Sequence, residues 1–585
     1  MSKKVAELKT LLCQDDPAKW VSYLWDKYNQ QRRPKIEEWL ELRNYIFATD
    51  TSTTSVGALP WKNSTTTPKL CQIRDNLHSN YISSLFPNDD WMRWQGYSRE
   101  DSIKRKAAAI EAYMANKCRE GHFRTEMSKL LYDFIDYGNA FVTTTFESSY
   151  KELPDGTTVP DYIGPRAKRI SPLDIVFNPL ADTFVESFKI VRSVKTLGEL
   201  KRLAMDEPEQ SFWTDAIERR ERLRINFGGY SIEDFDKARS YDVDGFGNLY
   251  EYYMSDFIEV LEFYGDYHDQ STGDLYTNRI LTVIDRALTV RNEEIPSWFG
   301  HTPIYHVGWR LRPDNLWAMG PLDNLVGMQY RIDHLENLKA DAMDLIVHPP
   351  LAIVGDVEQF EWGPGKEIHL DEGGTVTEIA KNLQGIVAAD NNIQLYEGKM
   401  ELYAGAPRDA MGIRTPGEKT AFEVQQLQNA AGRIFQEKIT TFEIELLEPC
   451  LNAMLEVSRR LMDTSDVIRV MDTDIGVQEF LTVTKEDITA NGKIRPVGAR
   501  HFAKQAQDLQ NIIGVFSSSI GQMIAPHTSG KQLTKFVEDV THISGYEIFR
   551  PNIAVFEQQE SQALMSQAQE DLQVQQTTPA EGNIG

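Results

Sequence analysis

The chain has 585 residues and a formal net charge of −25, with 41% hydrophobic and 10% aromatic residues. That apolar content supports folded cores and excludes a largely disordered chain, while the length predicts several parts rather than one core. So acidic a chain also excludes broad, tight gripping of nucleic acid, which calls on a basic surface.

The first residues, MSKKVAELKTLL, hold no long apolar stretch, so no secretory signal is expected. No run of ~18 apolar residues occurs, and no membrane span is expected. Cys13, Cys71, Cys118 and Cys450 lie far apart. That spacing argues against a disulfide or zinc framework and fits a reducing, cytoplasmic site of assembly.

From about Ala18 to Ala48, Trp20, Leu24, Tyr28, Ile36, Trp39, Leu40 and Tyr45 recur at helical spacing, with Pro34 a break or a helix start. A Ser/Thr-rich loop follows. Amphipathic helices are then predicted over Cys71–Leu85 and within Ser102–Ile135, joined by an aromatic turn, LFPNDDWMRW, that reads as packing. Near Asn139 the pattern turns to β, and a small antiparallel sheet is predicted from about Phe257 to Ile295 with a turn at Ser271–Asp274. The stretch DVDGFGN, Asp242–Asn248, resembles a calcium loop, but Phe246 and Tyr253 fall where such a loop needs oxygen ligands. It reads as a turn.

Next, Leu322, Leu325, Ile332, Leu335, Leu338, Ala342 and Leu345 predict a helix of ~25 residues, roughly 38 Å long, ended by Pro349 and Pro350. Its other faces carry Asp323, Arg331, Asp333, Glu336, Lys339, Asp341 and Asp344. One apolar stripe amid charge suits a helix packed against copies of itself or in a bundle. Leu351–Gly385 reads as a Gly-punctuated β module, followed by a helix over roughly Asp390–Tyr403. A long helix over Pro416–Met462, kinked by Pro449, precedes the strands VIRVM and FLTVT. Phe502–Ile543 reads as further helices, and the Gln-rich end from Glu557 as disordered or helical.

The segment Gly412–Thr420 comes close to a phosphate-binding loop, but Glu418 stands where that loop needs Lys and no strand precedes it. Thr415, Pro416 and Glu418 instead form a helix start. The sequence holds no H-E-x-x-H, no nucleophile elbow, and no grouping of nucleophile, base and oxyanion donors. Pairs such as Asp472/Asp474 read as solvated surface. No enzyme activity, metal or cofactor is expected.

The stretches WKNSTTTPKLCQIRDNLHSNYISSLFP, GPLDNLVGMQYRIDHLENLKADAMDLIVHPPL, RTPGEKTAFEVQQLQNAAGRIFQEKI and GKIRPVGARHFAKQAQDLQNI, in this order, make the chain resemble the portal proteins of tailed bacteriophages, above all the short-tailed ones. The resemblance implies a predominantly helical α+β protomer in a closed ring, dodecameric in mature particles, at one vertex of the capsid. It implies a wing over 1–316, a stem helix over 317–347, a clip over 348–388 and a second stem helix over 389–404. A tunnel loop over 405–418, a wing-crossing helix with return strands over 419–500, crown helices over 501–556 and a tail over 557–585 complete it. Implied partners are the major capsid protein, a scaffolding protein, the large terminase subunit that carries the ATPase, a tail adaptor, and double-stranded DNA passing through. The implied location is the virion.

Under that resemblance Leu322, Leu325, Ile332, Leu335, Leu338 and Leu345 pack the stem, and the tunnel loop with its following helix start offers Arg408, Asp409, Met411, Arg414 and Lys419 to the channel. The two arginines either touch phosphates or pair with Asp409 and Glu418. Clip residues Glu358, Phe360, Glu361, Trp362 and Lys366 are candidates for partner docking, the aromatics being either partner anchors or packing between subunits. A dodecamer carries roughly −300 formal charges, which lets a duplex slide rather than stick. The alternatives are another head-to-tail structural protein and, last, a nucleotide-driven enzyme.

Overall fold

In this computed structural model the described residues are 11–13, 16–47, 63, 65–87, 91–96, 101–152, 158–206, 214–215, 217–218, 220, 257–270, 272–347, 351–355, 373–378, 384–404, 434–462, 465–471, 478–489 and 492–496. The architecture is mixed, with helix (about 51%) outweighing strand (about 31%).

After a short strand β1 (Leu11–Cys13), helix α1 runs from Pro17 to Ile46. Asp16 caps it by accepting from the Ala18 amide at 2.9 Å, and Pro17 suits the first turn. Pro34 lies inside this helix and does not end it. The residues on either side of it serve two cores. Trp20, Val21, Leu24 and Trp25 pack on one sheet, whereas Leu42, Tyr45 and Ile46 join the main core. Between them the buried Arg32 donates to the carbonyls of Pro172 and Ile175, each at 2.7 Å, and to that of Leu173. Burial on both sides outweighs the hydrogen bond that a proline removes.

Helix α2 (Lys69–Leu85), strand β2 (Met92–Gly96), and helices α3 (Asp101–Glu120) and α4 (Phe123–Asp136) build the main core with aromatic contacts. Phe134 meets Tyr81 at 6.0 Å and Phe442 at 5.3 Å, and the Trp309 indole donates to the Tyr81 hydroxyl at 3.2 Å. The turn after α2 packs as predicted, with Trp91 stacked on Phe123 and edge-on to Phe86.

The β pattern begins at Asn139, as read. Strands β3 (Asn139–Glu152) and β4 (Thr158–Ile170) form a long hairpin. Strands β5 (Ile175–Phe177) and β6 (Lys189–Thr196) follow, then helix α5 (Leu197–Asp206). Strands β7 (Phe257–Asp269), β8 (Leu275–Ile284) and β9 (Leu288–Glu294) complete a sheet ordered β5-β6-β7-β8-β9, with β1 parallel to β7. The predicted sheet is therefore larger than its 257–295 stretch, because earlier strands join it. Between β8 and β9, Asp285 and Arg286 both take positive φ (49° and 55°), as a tight hairpin turn needs. Arg286 is held there by Glu259 at 2.7 Å.

Strand β10 (Ile304–Gly308) pairs with β3, and β11 (Arg310–Arg312) with β12 (Asn315–Met319). Helix α6 (Val326–Val347), strands β13 (Leu351–Val354) and β14 (Thr375–Glu378), and helix α7 (Gln384–Tyr403) follow. The next described residues, from 434, are helical, pass through a π segment at Glu443–Leu447 and enter α8 (Glu448–Leu461). The wide turn stands immediately before Pro449, which has no N–H for a regular bond. The two predicted strands are present as β15 (Ser465–Met471) and β16 (Gln478–Thr484), and they pair antiparallel; helix α9 (Lys485–Ile488) and strand β17 (Gly492–Pro496) end the described chain, and β17 pairs with β2. The predicted helices over 502–543, the Gln-rich tail and the Asp242–Asn248 turn lie outside the described residues.

Candidate assembly surface

The stretch from Gly320 to Tyr403 forms a helical hairpin with a β insert. At its base, a Cβ on Gly138 (φ 68°) would meet the Gly320 amide nitrogen at 2.3 Å, so only glycine permits this approach. The Gly320 amide donates to Asp323 Oδ2 at 3.0 Å, and Lys35 Nζ donates to the same oxygen at 2.8 Å. A short 3₁₀ turn at Asp323–Leu325 leads into α6. The long helix predicted here therefore begins later, at Val326, because 315–319 are taken up by β12.

Lys339 on α6 pairs with Asp390 on α7 at 2.9 Å, while Glu401, eleven residues further on, pairs with Lys69 at 2.7 Å. Lys69 adjoins Leu70, whose amide donates to Gln329. The two helices therefore run antiparallel. Hydrogen bonding to Glu336 raises the affinity of Lys339 for its proton.

The expected apolar stripe on α6 divides in two. Leu322, Leu325 and Ile332 are fully buried in the main core and Leu335 packs at its edge, whereas Leu338 (40%) and Leu345 (37%) are exposed. On α7, Ile393 and Met400 are buried, but Val387, Leu395 and Leu402 are exposed. The base of the hairpin is thus anchored in the core, while Leu338, Leu345 and Val387 toward its outer end, and Leu395 and Leu402 along α7, are open to water.

A second face of α6 binds the Ser/Thr-rich segment before α2. Gln329 Nε2 donates to the Thr67 carbonyl at 2.6 Å, and Asp333 Oδ1 accepts from the Thr67 amide at 2.8 Å. Asn337 both accepts from the Thr65 amide and donates to the Thr65 carbonyl, each at 2.8 Å. Asp341 accepts from the Asn63 amide at 2.9 Å. Every fourth residue of α6 thus meets every second residue of an extended chain. The spacings agree, since four helical residues rise about 6.0 Å and two extended residues about 6.6 Å. Burial pushes Asp333 up to about 6, and its Oδ2 has no hydrogen-bond partner.

Sequence reading placed Asp333 and Asp341 on an outward charged face and gave no role to Gln329 or Asn337. The signal was present as a polar side chain at each fourth position, 329, 333, 337 and 341. It became meaningful only with the partner segment beside it.

Strands β13 and β14 pair antiparallel from Leu351↔Glu378 to Val354↔Thr375, giving the base of the predicted β module. Its candidate docking residues Glu358, Phe360, Glu361, Trp362 and Lys366 lie outside the described residues, as do Arg408, Asp409, Met411, Arg414 and Lys419. Among the described residues no group of His, Cys, Asp and Glu is arranged to hold a metal ion, and no helix is long and apolar enough to cross a membrane. No family model and no curated protein matches the chain.

Proposed function

We propose that this chain is the portal protein of a tailed bacteriophage, a non-enzymatic ring subunit through which the genome is packaged and released. The observation that carries the reading is the antiparallel α6–α7 hairpin, anchored at one end, with Leu338, Leu345 and Val387 exposed toward the other end and Leu395 and Leu402 exposed along α7. Ring closure by rotation needs one face of each copy to meet a different face of the next. Two helices with outward apolar residues supply such faces. In this reading α6 and α7 are the stem, the β13–β14 insert is the clip, and the acidic bore lets a duplex slide.

Negative-stain microscopy of the purified full-length protein tests this directly. Circular particles with a rotational symmetry near twelve-fold are expected; a monodisperse monomer at high concentration, with the shell partner also present, overturns the reading. Arg408→Glu with Arg414→Glu is expected to lower DNA packaging or retention while rings persist, and unaltered packaging would make those arginines dispensable.

A further inference from the structure

A cavity of about 320 Å³ opens among the last turns of α1, helix α2, the end of α4 and strand β4. Its lining holds four cationic side chains, Arg43, Arg74, Lys129 and Arg169, with the carboxylates Asp133 and Asp136. Lys129 is paired with Glu126 at 2.5 Å and Arg74 also reaches Asp75 at 3.6 Å, which leaves Arg43 as the lining cation to account for.

Two of the cations are fixed in place. Arg74 reaches Asp136 through Nε at 2.6 Å and Nη2 at 2.8 Å, and its guanidinium lies 4.0 Å from the centroid of the Tyr132 ring. His78 stacks on the same ring at 3.8 Å. Arg169 holds Asp133 with Nη2 at 2.7 Å and with Nε. Both aspartates are therefore consumed in orienting guanidinium planes. Two-pronged pairs of this kind hold an arginine rigidly.

Other polar groups at the cavity are uncommitted. Arg43 has no carboxylate partner among the described residues, and neither the Tyr132 nor the Tyr137 hydroxyl has a hydrogen bond among them. Arg169 Nη1 likewise carries no hydrogen bond among them. The apolar part of the wall comes from Leu42, Ile46 and Phe47, the last of which is well exposed. The Arg43 guanidinium, the two hydroxyls, the remaining Arg169 nitrogen and an apolar wall converge on a space at the small end of ligand sites.

We propose that this cavity binds a compact organic oxyanion, a phosphate or carboxylate borne on an aromatic ring. Arg43, Arg169 and the Tyr137 hydroxyl take the charged oxygens, and Phe47 with Leu42 and Ile46 receives the ring. The size favours such a ligand over an extended acidic peptide. The inference does not depend on ring assembly, so failure of the portal reading leaves it standing, and the reverse.

Calorimetric titration of the full-length protein with phenyl phosphate tests it, beside inorganic phosphate and a hexapeptide of alternating Glu and Phe. Saturable binding of phenyl phosphate is expected, tighter than that of either comparison probe. Arg43→Ala is expected to weaken it about tenfold or more, since it removes a charge-assisted contact. Phe47→Ser is expected to weaken phenyl phosphate but not inorganic phosphate. Both side chains are exposed, so the free variants should melt where the parent does. Absence of saturation below about 10 mM, equal affinity in Arg43→Ala, or equal affinity for inorganic phosphate each overturns the proposal. Tighter binding of the hexapeptide also overturns it, in favour of a peptide-docking groove.

Discussion

The helical body and the α6–α7 hairpin solve the same problem in opposite ways. The body covers Trp39, Phe134, Tyr81 and Trp309 within one chain. The hairpin attaches by Leu322, Leu325 and Ile332 at its base and by a polar ladder along one flank, and leaves its outer leucines in water. Directional bonds fix orientation, whereas non-directional burial supplies most of the stability. The difference teaches that the hairpin is aimed by hydrogen bonds, and under the proposed ring a neighbouring copy would complete it.

Four variants probe that contrast. Leu345→Glu with Leu402→Glu should abolish association, since burying a leucine is worth about 1.5–3 kcal/mol. Its melting as a monomer should barely change, and rings persisting in sedimentation would remove the hairpin from the interface. Phe134→Ala strikes the body instead and should cost about 3–5 kcal/mol in denaturant titration, through the cavity left beside Tyr81 and Phe442. A loss below ~1 kcal/mol would mean that the core collapses around the gap.

Asn337→Ala deletes a rung that serves both backbone groups of Thr65, so about 1–3 kcal/mol should be lost. Faster amide exchange should appear at Thr65 but not across α4; uniform exchange would show that the ladder is no separate unit.

The smallest effect is expected from Asp333→Asn. Burial lifts the Asp333 carboxyl to about 6, above its unfolded value near 4, so the folded form binds the proton more tightly. Its contribution to stability is complete below about pH 4 and is lost as pH rises through about 6. Asparagine keeps the acceptor for the Thr67 amide without the charge. The variant should therefore melt slightly higher than the parent at pH 8, with the difference vanishing near pH 5; a lower melting point at pH 8 would mean that the ionised carboxylate is favoured there.

Local patterns were legible from the residues. Apolar spacing located α2 and the paired helices α3 and α4, and the change at Asn139 located β3. The Gly273 turn was read correctly from STGD, and Gly273 does take positive φ (77°). What local pattern could not supply was relation between distant segments. Pro34 reads as a break because neither core flanking it is visible nearby in the chain. Strand β12 displaces the start of the predicted long helix because its partner β11 and the Gly138 contact set that stretch extended. The ladder on α6 was invisible for the same reason, its partner lying some 270 positions away in the numbering, as Asn337 to Thr65 spans 272.

The pairing of β2 with β17 has a consequence for synthesis. Residues 92–96 must await 492–496, so roughly 400 residues separate an open strand edge from its cover. At ~5–20 residues per second, a ribosome exposes that edge for on the order of 20–80 s. During this interval Trp94, buried in the finished protein, is open to chaperones or to a neighbouring nascent copy. Slowing or truncating translation before residue 492 should therefore yield aggregates rather than a smaller folded body.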